Sequence, residues 1–124
     1  MGYTHICVGS NDLEKSRAFY DETLGAVGVK RARDMEDRAF YEGDGIRFIV
    51  LKPINGEAAT SANGGTIGFP APSPAAGDAF HAGALAKGGR SGGGPGERTQ
   101  IPGSYVAYVR DPDGNKLCVF HMAG

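Results

Sequence analysis

Tyr105-Val106-Ala107-Tyr108-Val109-Arg110-Asp111-Pro112-Asp113-Gly114-Asn115-Lys116-Leu117-Cys118-Val119-Phe120-His121 carries the clearest local pattern in the chain. Two β-prone runs flank a turn of Pro, Asp, Gly and Asn. Pro112 presets φ at the first central turn position, and Gly114 tolerates the left-handed backbone such a turn needs, so the stretch predicts a β-hairpin. Side chains alternate along the second strand. Leu117, Val119 and His121 share one face, and Lys116, Cys118 and Phe120 the other.

Upstream of this hairpin the chain is rich in glycine, with 21 residues in the whole sequence and many between positions 88 and 103. Glycine weakens helix and strand interiors, so residues 88–103 are expected to form a mobile loop, with at most a short strand near 90–91. Before it, Ser73 and Pro74 make a good helix start as N-cap and first helical residue. The Ala-rich residues 74–87 then predict a helix with Phe80 and Leu85 on its apolar side. Residues 66–71 read as a strand, and Pro70 marks a strand end or edge.

The first half has the same order. Residues 3–8 form a β-prone run with His5 and Cys7 on one face. Asn11 or Asp12 offers an N-cap, and Leu13, Ser16, Phe19, Tyr20 and Leu24 recur at helical spacing and predict a helix over about 13–23, with Gly25 suited to the C-terminal cap. Strands follow at 27–33, 38–42 and 46–52, the last two joined by Gly43-Asp44-Gly45. Overlaying His5 on Thr66 brings Ile6 onto Ile67, Phe19 onto Phe80 and Leu24 onto Leu85. Overlaying Asp44-Gly45 on Asp113-Gly114 brings Ile49 onto Cys118. The shared order of elements, more than these few letters, predicts an internal repeat. The expected architecture is one α+β domain of 124 residues, with a βαβββ module over 1–52, a linker over 53–65 and a second βαβββ module over 66–124.

A net charge of −1 gives no reason to expect nucleic acid or an anionic membrane as partner. No apolar run is long enough to span a bilayer, and the first residues lack the basic-then-apolar layout of a secretory signal, so a cytoplasmic location is the expectation. Cys7 and Cys118 lack a CxxC spacing and are expected to be reduced there.

The order of elements resembles the vicinal oxygen chelate superfamily, which includes the glyoxalase I, bleomycin-resistance, fosfomycin-resistance and extradiol dioxygenase proteins. The resemblance is carried by Thr4-His5-Ile6 opening the first strand, Asp12-Leu13-Glu14-Lys15-Ser16-Arg17-Ala18-Phe19-Tyr20 as the first helix, and the Asp111-Pro112-Asp113-Gly114-Asn115 turn. It covers nearly the whole chain. It implies two βαβββ modules whose strands curl into a mixed sheet around a cleft, and a homodimer. In the enzymes of the family it implies one divalent metal, held by residues of the first and last strand of each module. Carried over residue by residue, those positions fall on His5, Ile49, Thr66 and Cys118. Only His5 matches the family pattern. A thiolate at Cys118 would suit a softer ion such as zinc, Ile49 cannot ligate, and the divalent-metal site is incomplete.

His5 is open to reading as a lone ligand remnant, a general base or a structural imidazole. Cys118 reads as a small buried hydrophobe or as a metal ligand or reactive thiol, and a soft-metal cluster of Cys7, His5 and Cys118 is conceivable. His81 is expected on the surface, and His121 in packing or capping. Arg90, Arg98 and Gln100 sit in the glycine-rich segment, which reads equally as a lid closing on a ligand or as a plain connector. The expected cleft is lined by His5, Ile49, Leu51, Thr66, Tyr105, Ala107, Cys118 and Phe120, with Arg98 reaching it from the loop. Such a pocket, apolar with a few polar groups, suits a small organic molecule. Two functions compete: a metal-free protein that binds such a molecule, and a glyoxalase-like lyase or isomerase, or a dioxygenase, with an altered metal site.

Overall fold

Asp12 starts the first helix in the expected way, with an extended backbone and a side chain that accepts from the Lys15 N–H at 3.2 Å. The computed structural model describes residues 2–123. Met1 and Gly124, the outer ends of the two expected modules, lie outside the described residues. The first module runs β1 (Ile6–Gly9), α1 (Leu13–Ala26), β2 (Lys30–Met35), β3 (Arg38–Gly43) and β4 (Ile46–Leu51). The second runs β5 (Ile67–Pro70), α2 (Pro74–Ala86), β6 (Arg90–Arg98), β7 (Ile101–Arg110) and β8 (Lys116–Met122). Residues 53–65 carry neither helix nor strand. Ser73 caps α2 through the Ala76 N–H, and Pro70 ends an edge strand.

Each module makes its own four-stranded sheet, in the orders β1-β4-β3-β2 and β5-β8-β7-β6. The first and last strands of each module lie side by side and parallel, and the other neighbours are antiparallel. The expected curled sheet is therefore two open mixed halves, neither closed into a barrel. The β3–β4 turn places Asp44 at φ 52 and Gly45 at φ 78, the twin left-handed residues of a type I′ hairpin.

Four expectations need correction: the second strand runs Lys30–Met35 and not 27–33, Leu85 is exposed rather than packed beside Phe80, and two more concern the end of α1 and the glycine-rich segment. α1 continues through Gly25 and is capped at Val27, and the left-handed residue is Gly28 at φ 86. The segment 88–103 is no mobile loop, because it forms all of β6 and the start of β7. Strand pairing uses backbone groups, which glycine supplies as well as any residue. The cost of the glycines appears as irregularity, with register shifts between Ser91 and Gly93, Gly93 and Gly96, and Gly96 and Arg98. Their advantage is room: a Cβ on Gly92 would come within 3.3 Å of the Tyr108 Cβ.

One face of each sheet packs on the helices, and the two halves share a continuous core. An aromatic chain crosses between them, from Tyr20 to Phe48 at 5.1 Å between centroids, to Phe69 at 5.4 Å and to Phe80 at 6.4 Å. A buried polar network makes a second bridge. Asp111, 2% exposed, accepts from the Tyr20 hydroxyl at 2.5 Å, from the backbone N–H groups of Asp113 and Asn115, and from the Asn115 amide. The Asn115 amide also donates to the Gly9 carbonyl, and the Ser16 hydroxyl donates to Asp113. The hallmark turn thus fastens the last hairpin to the first helix and first strand.

Candidate functional site

Strand register fixes which residues share the sheet faces turned away from the helices. In the first sheet Arg33 lies opposite Phe40, Phe40 opposite Ile49, and Ile49 beside Cys7. In the second, Gly93 lies opposite Tyr108, Tyr108 opposite Cys118, and Cys118 beside Gly68. Phe48 and Val50 on β4, and Leu117 and Val119 on β8, are buried on the helix side. By alternation Ile49 and Cys118 face outward at matching places of the two sheets, as the internal overlay expects. His5 and Thr66 also match, each exposed and just ahead of its parallel edge strand.

Hollows lie along this surface. One of about 360 Å³ is lined by His5, Arg33, Phe40, Glu42, Arg47 and Ile49, with Tyr41 and Phe48 behind. Another of about 420 Å³ shares His5, Arg47 and Phe48 with it and reaches Ile67 and Gly68 of the second module. A third, of about 320 Å³, brings Cys7, Thr66 and Lys116 together. His5 thus joins the first two hollows, and the two modules meet where β1 and β5 run near each other. The His5 Nδ1 is 2.9 Å from the Thr4 hydroxyl.

Cys118 is half-buried, and burial pushes its thiol above the usual range, against a weaker opposing pull from Lys116. A thiol so held is a poor thiolate donor. Among the described residues no group of three or more His, Cys, Asp or Glu side chains comes together in a way that could hold a metal ion. The conceived cluster of Cys7, His5 and Cys118 does not form.

Phe120 and Leu51 are half-buried on the outward faces, Phe120 opposite Val106 and Leu51 opposite Arg38. Tyr105 and Ala107 are not there. Tyr105 lies opposite His121 and donates its hydroxyl to Asp78 of α2 at 2.6 Å, and Ala107 is wholly buried in the core. Their outward places are held by Val106 and Tyr108. Arg98 is part of the sheet rather than of a lid. Its guanidinium stacks 5.5 Å from the Tyr108 ring centre and donates to the Gly94 carbonyl. The Lys116 ammonium sits 5.0 Å from the same ring centre. His81 is half-buried with its Nε2 2.8 Å from the Ser91 hydroxyl, and the His121 Nδ1 is 2.9 Å from the Ala71 carbonyl. Arg33, Phe40, Arg47 and Tyr108 escape the sequence reading, and register is the signal that finds them: Phe40 and Tyr108 lie across from Ile49 and Cys118, Arg47 lies beside Ile49 on the same face, and Arg33 lies across from Phe40.

Residues 2–119 match the family model of the Glyoxalase/Bleomycin resistance protein/Dioxygenase superfamily. A solved glyoxalase/bleomycin resistance protein from Albidiferax ferrireducens T118 is 46% identical, with a TM-score of 0.88 over 96% of this chain and 97% of that one. A glyoxalase-related enzyme from Fulvimarina pelagi is 20% identical, with a TM-score of 0.77 over 98% of this chain and 88% of that one. The fosfomycin resistance protein FosX from Mesorhizobium loti is 15% identical, with a TM-score of 0.71 over 99% of this chain and 92% of that one. At these lower identities the last two show a shared fold alone. No curated protein matches the sequence. No helix of the described residues is long and apolar enough to cross a membrane.

Proposed function

Because the chain belongs to the glyoxalase/bleomycin resistance protein/dioxygenase superfamily, we propose that it binds a small organic molecule on the outward faces of its sheets, without the complete metal site of the family's enzymes. The observation that carries this is Ile49, which lines the hollow beside His5. A hard divalent ion takes carboxylate and imidazole ligands. The positions His5, Ile49, Thr66 and Cys118 offer one imidazole, one hydroxyl and a thiol whose protonated form burial favours. This donor set does not fit the ion, even if two chains pooled their halves. The half-buried apolar side chains of Phe40, Ile49, Leu51 and Phe120 on these faces suit an organic ligand and a second copy of the chain closing over it. His5 alone favours the other function, a metal-dependent lyase or dioxygenase with altered ligands.

Thermal-shift screening of small organic molecules, with and without EDTA, separates the two. Metal-free binding raises the melting temperature equally in both. Stabilisation that disappears with EDTA, together with one metal per chain after purification without chelators, would transfer the assignment to the enzyme. Cys118→Glu alone should leave zinc, nickel and manganese binding weak, since Ile49 and Thr66 still withhold ligands. Tight binding by that variant, measured by calorimetry, would mean the ligand positions are wrongly placed. Light scattering tests the homodimer.

A further inference from the structure

The charges of this chain are sorted by face. Its net charge is −1, yet its carboxylates stand mostly on the helix side and in the turns. Asp21 and Asp34 pair there with Arg31, and Asp34 also with Arg17. In the hollow over Phe40 and Ile49 the balance reverses. Arg33 and Arg47 both line it, both are exposed, and neither makes a salt bridge within 4.0 Å among the described residues. Glu42 is the one carboxylate lining it. It stands across the strands from both Lys30 and Arg47. Two cations therefore line the hollow against one acid, with the His5 imidazole beside them.

We propose that this hollow takes a small amphiphilic anion, with a carboxylate or phosphonate group held between Arg33 and Arg47 and an apolar body laid on Phe40 and Ile49. This rests on the small-molecule function above and names its ligand class. Guanidinium groups match carboxylate and phosphonate oxygens in a two-pronged way. The Arg33 guanidinium is already stationed 5.6 Å from the Phe40 ring centre, so cation–π attraction holds it above the floor where the apolar body would lie. Cations left without internal partners at the mouth of an apolar hollow keep their full attraction for an incoming anion. A volume of about 360 Å³ is in the range that suits a small molecule.

The test is an NMR titration of the isotope-labelled full chain with phenylphosphonate and 4-phenylbutyrate, each against its neutral methyl ester. The acids should shift amides of β3 and β4 and bind at least about tenfold more tightly than the esters, more weakly as salt is added. Arg33→Gln and Arg47→Gln, at exposed positions that leave the core intact, should each weaken the acids about fivefold or more while leaving the esters unchanged. Lys87→Gln, at the exposed C-cap of α2, should change neither. Esters that bind as well as acids would overturn anion recognition and leave small-molecule binding standing. Acid binding that survives both first-sheet variants and falls with Arg98→Gln on the other sheet would overturn the location. If the acids fail to bind at about 10 mM, the inference is wrong, whereas the small-molecule function falls only if the wider thermal-shift screen is also empty.

Discussion

Replacing Tyr20 by Phe should cost about 2 kcal/mol of folding stability through the loss of one hydrogen bond. The Tyr20 hydroxyl donates to Asp111 at 2.5 Å, and both residues are buried. The network contains no basic side chain, so Asp111 is held by neutral donors: two backbone N–H groups, the Asn115 amide and this hydroxyl. Phe keeps the edge-on contact with Phe19 at 4.9 Å and the tilted contact with Phe48 at 5.1 Å, so the change reports the bond and not the ring. Hydrogen bonds to charged groups contribute about 1.5–3 kcal/mol, and both partners here are buried. The other three donors remain, which sets the expectation in the lower half of that range. For 124 residues, at about 2.1 cal/mol/K of unfolding entropy per residue, the melting temperature should fall by about 8 °C. Urea denaturation measures the loss, with an unchanged m-value showing that the unfolded state is unaffected. A cycle with Asp111→Asn should return a coupling of about 1 kcal/mol or more. A loss below about 0.5 kcal/mol with m unchanged would show that the hydroxyl does not fasten α1 to the hairpin turn.

Alkaline pH should weaken the fold through the same group. Burial first, and then Asp111, hold the Tyr20 phenol well above its ordinary value, and burial followed by Asp21 does the same for Tyr41. Their stabilisation is complete below the unfolded phenol's pKa of about 10 and drains away as pH climbs from there toward the folded values. The urea midpoint should therefore be steady up to that point and then drop, and Tyr20→Phe should flatten part of the drop. Thiol reagents should label exposed Cys7 quickly at neutral pH and Cys118 at least about tenfold more slowly; equal rates on the folded chain would contradict the burial of Cys118. Gly89→Ala should cost about 3 kcal/mol or more, because a Cβ there would stand 2.5 Å from Phe19 and 2.6 Å from the Arg110 carbonyl, with backbone unable to yield. A calorimetric melting temperature within a degree or so of the parent chain would show that the α2–β6 corner is looser than it looks.

Local signals with a single physical meaning were legible. Asp12, Ser73 with Pro74, and Pro70 each announce a helix start or strand end by their own backbone chemistry, and the structure has them there. β6 was hidden for the opposite reason. A strand written Arg-Ser-Gly-Gly-Gly-Pro-Gly-Glu-Arg has no side-chain periodicity to read, and its identity comes from its partner β7. Backbone pairing with a well-patterned neighbour outweighed a poor local propensity, as is common for strands.

The site was misread at one point of logic rather than of composition. Alternation along each strand groups Tyr105 and Ala107 with Phe120, but it does not fix which residues stand opposite one another. The turn answers that question. Asp111 and Asn115 close it, with Asp111 N–H donating to the Asn115 carbonyl, so Arg110 must meet Lys116, and counting back pairs Tyr108 with Cys118 and Tyr105 with His121. Register shifts of one residue exchange the two faces of a strand. The register that places Tyr108 under two cations, and Tyr105 against α2, is thus settled by the length of the turn. The same counting across β2, β3 and β4 sets Arg33 beside Phe40 and Glu42 beside Arg47. The proposed ligand class, invisible in an overall charge of −1, rests on strand pairing, which decides which charges share a face.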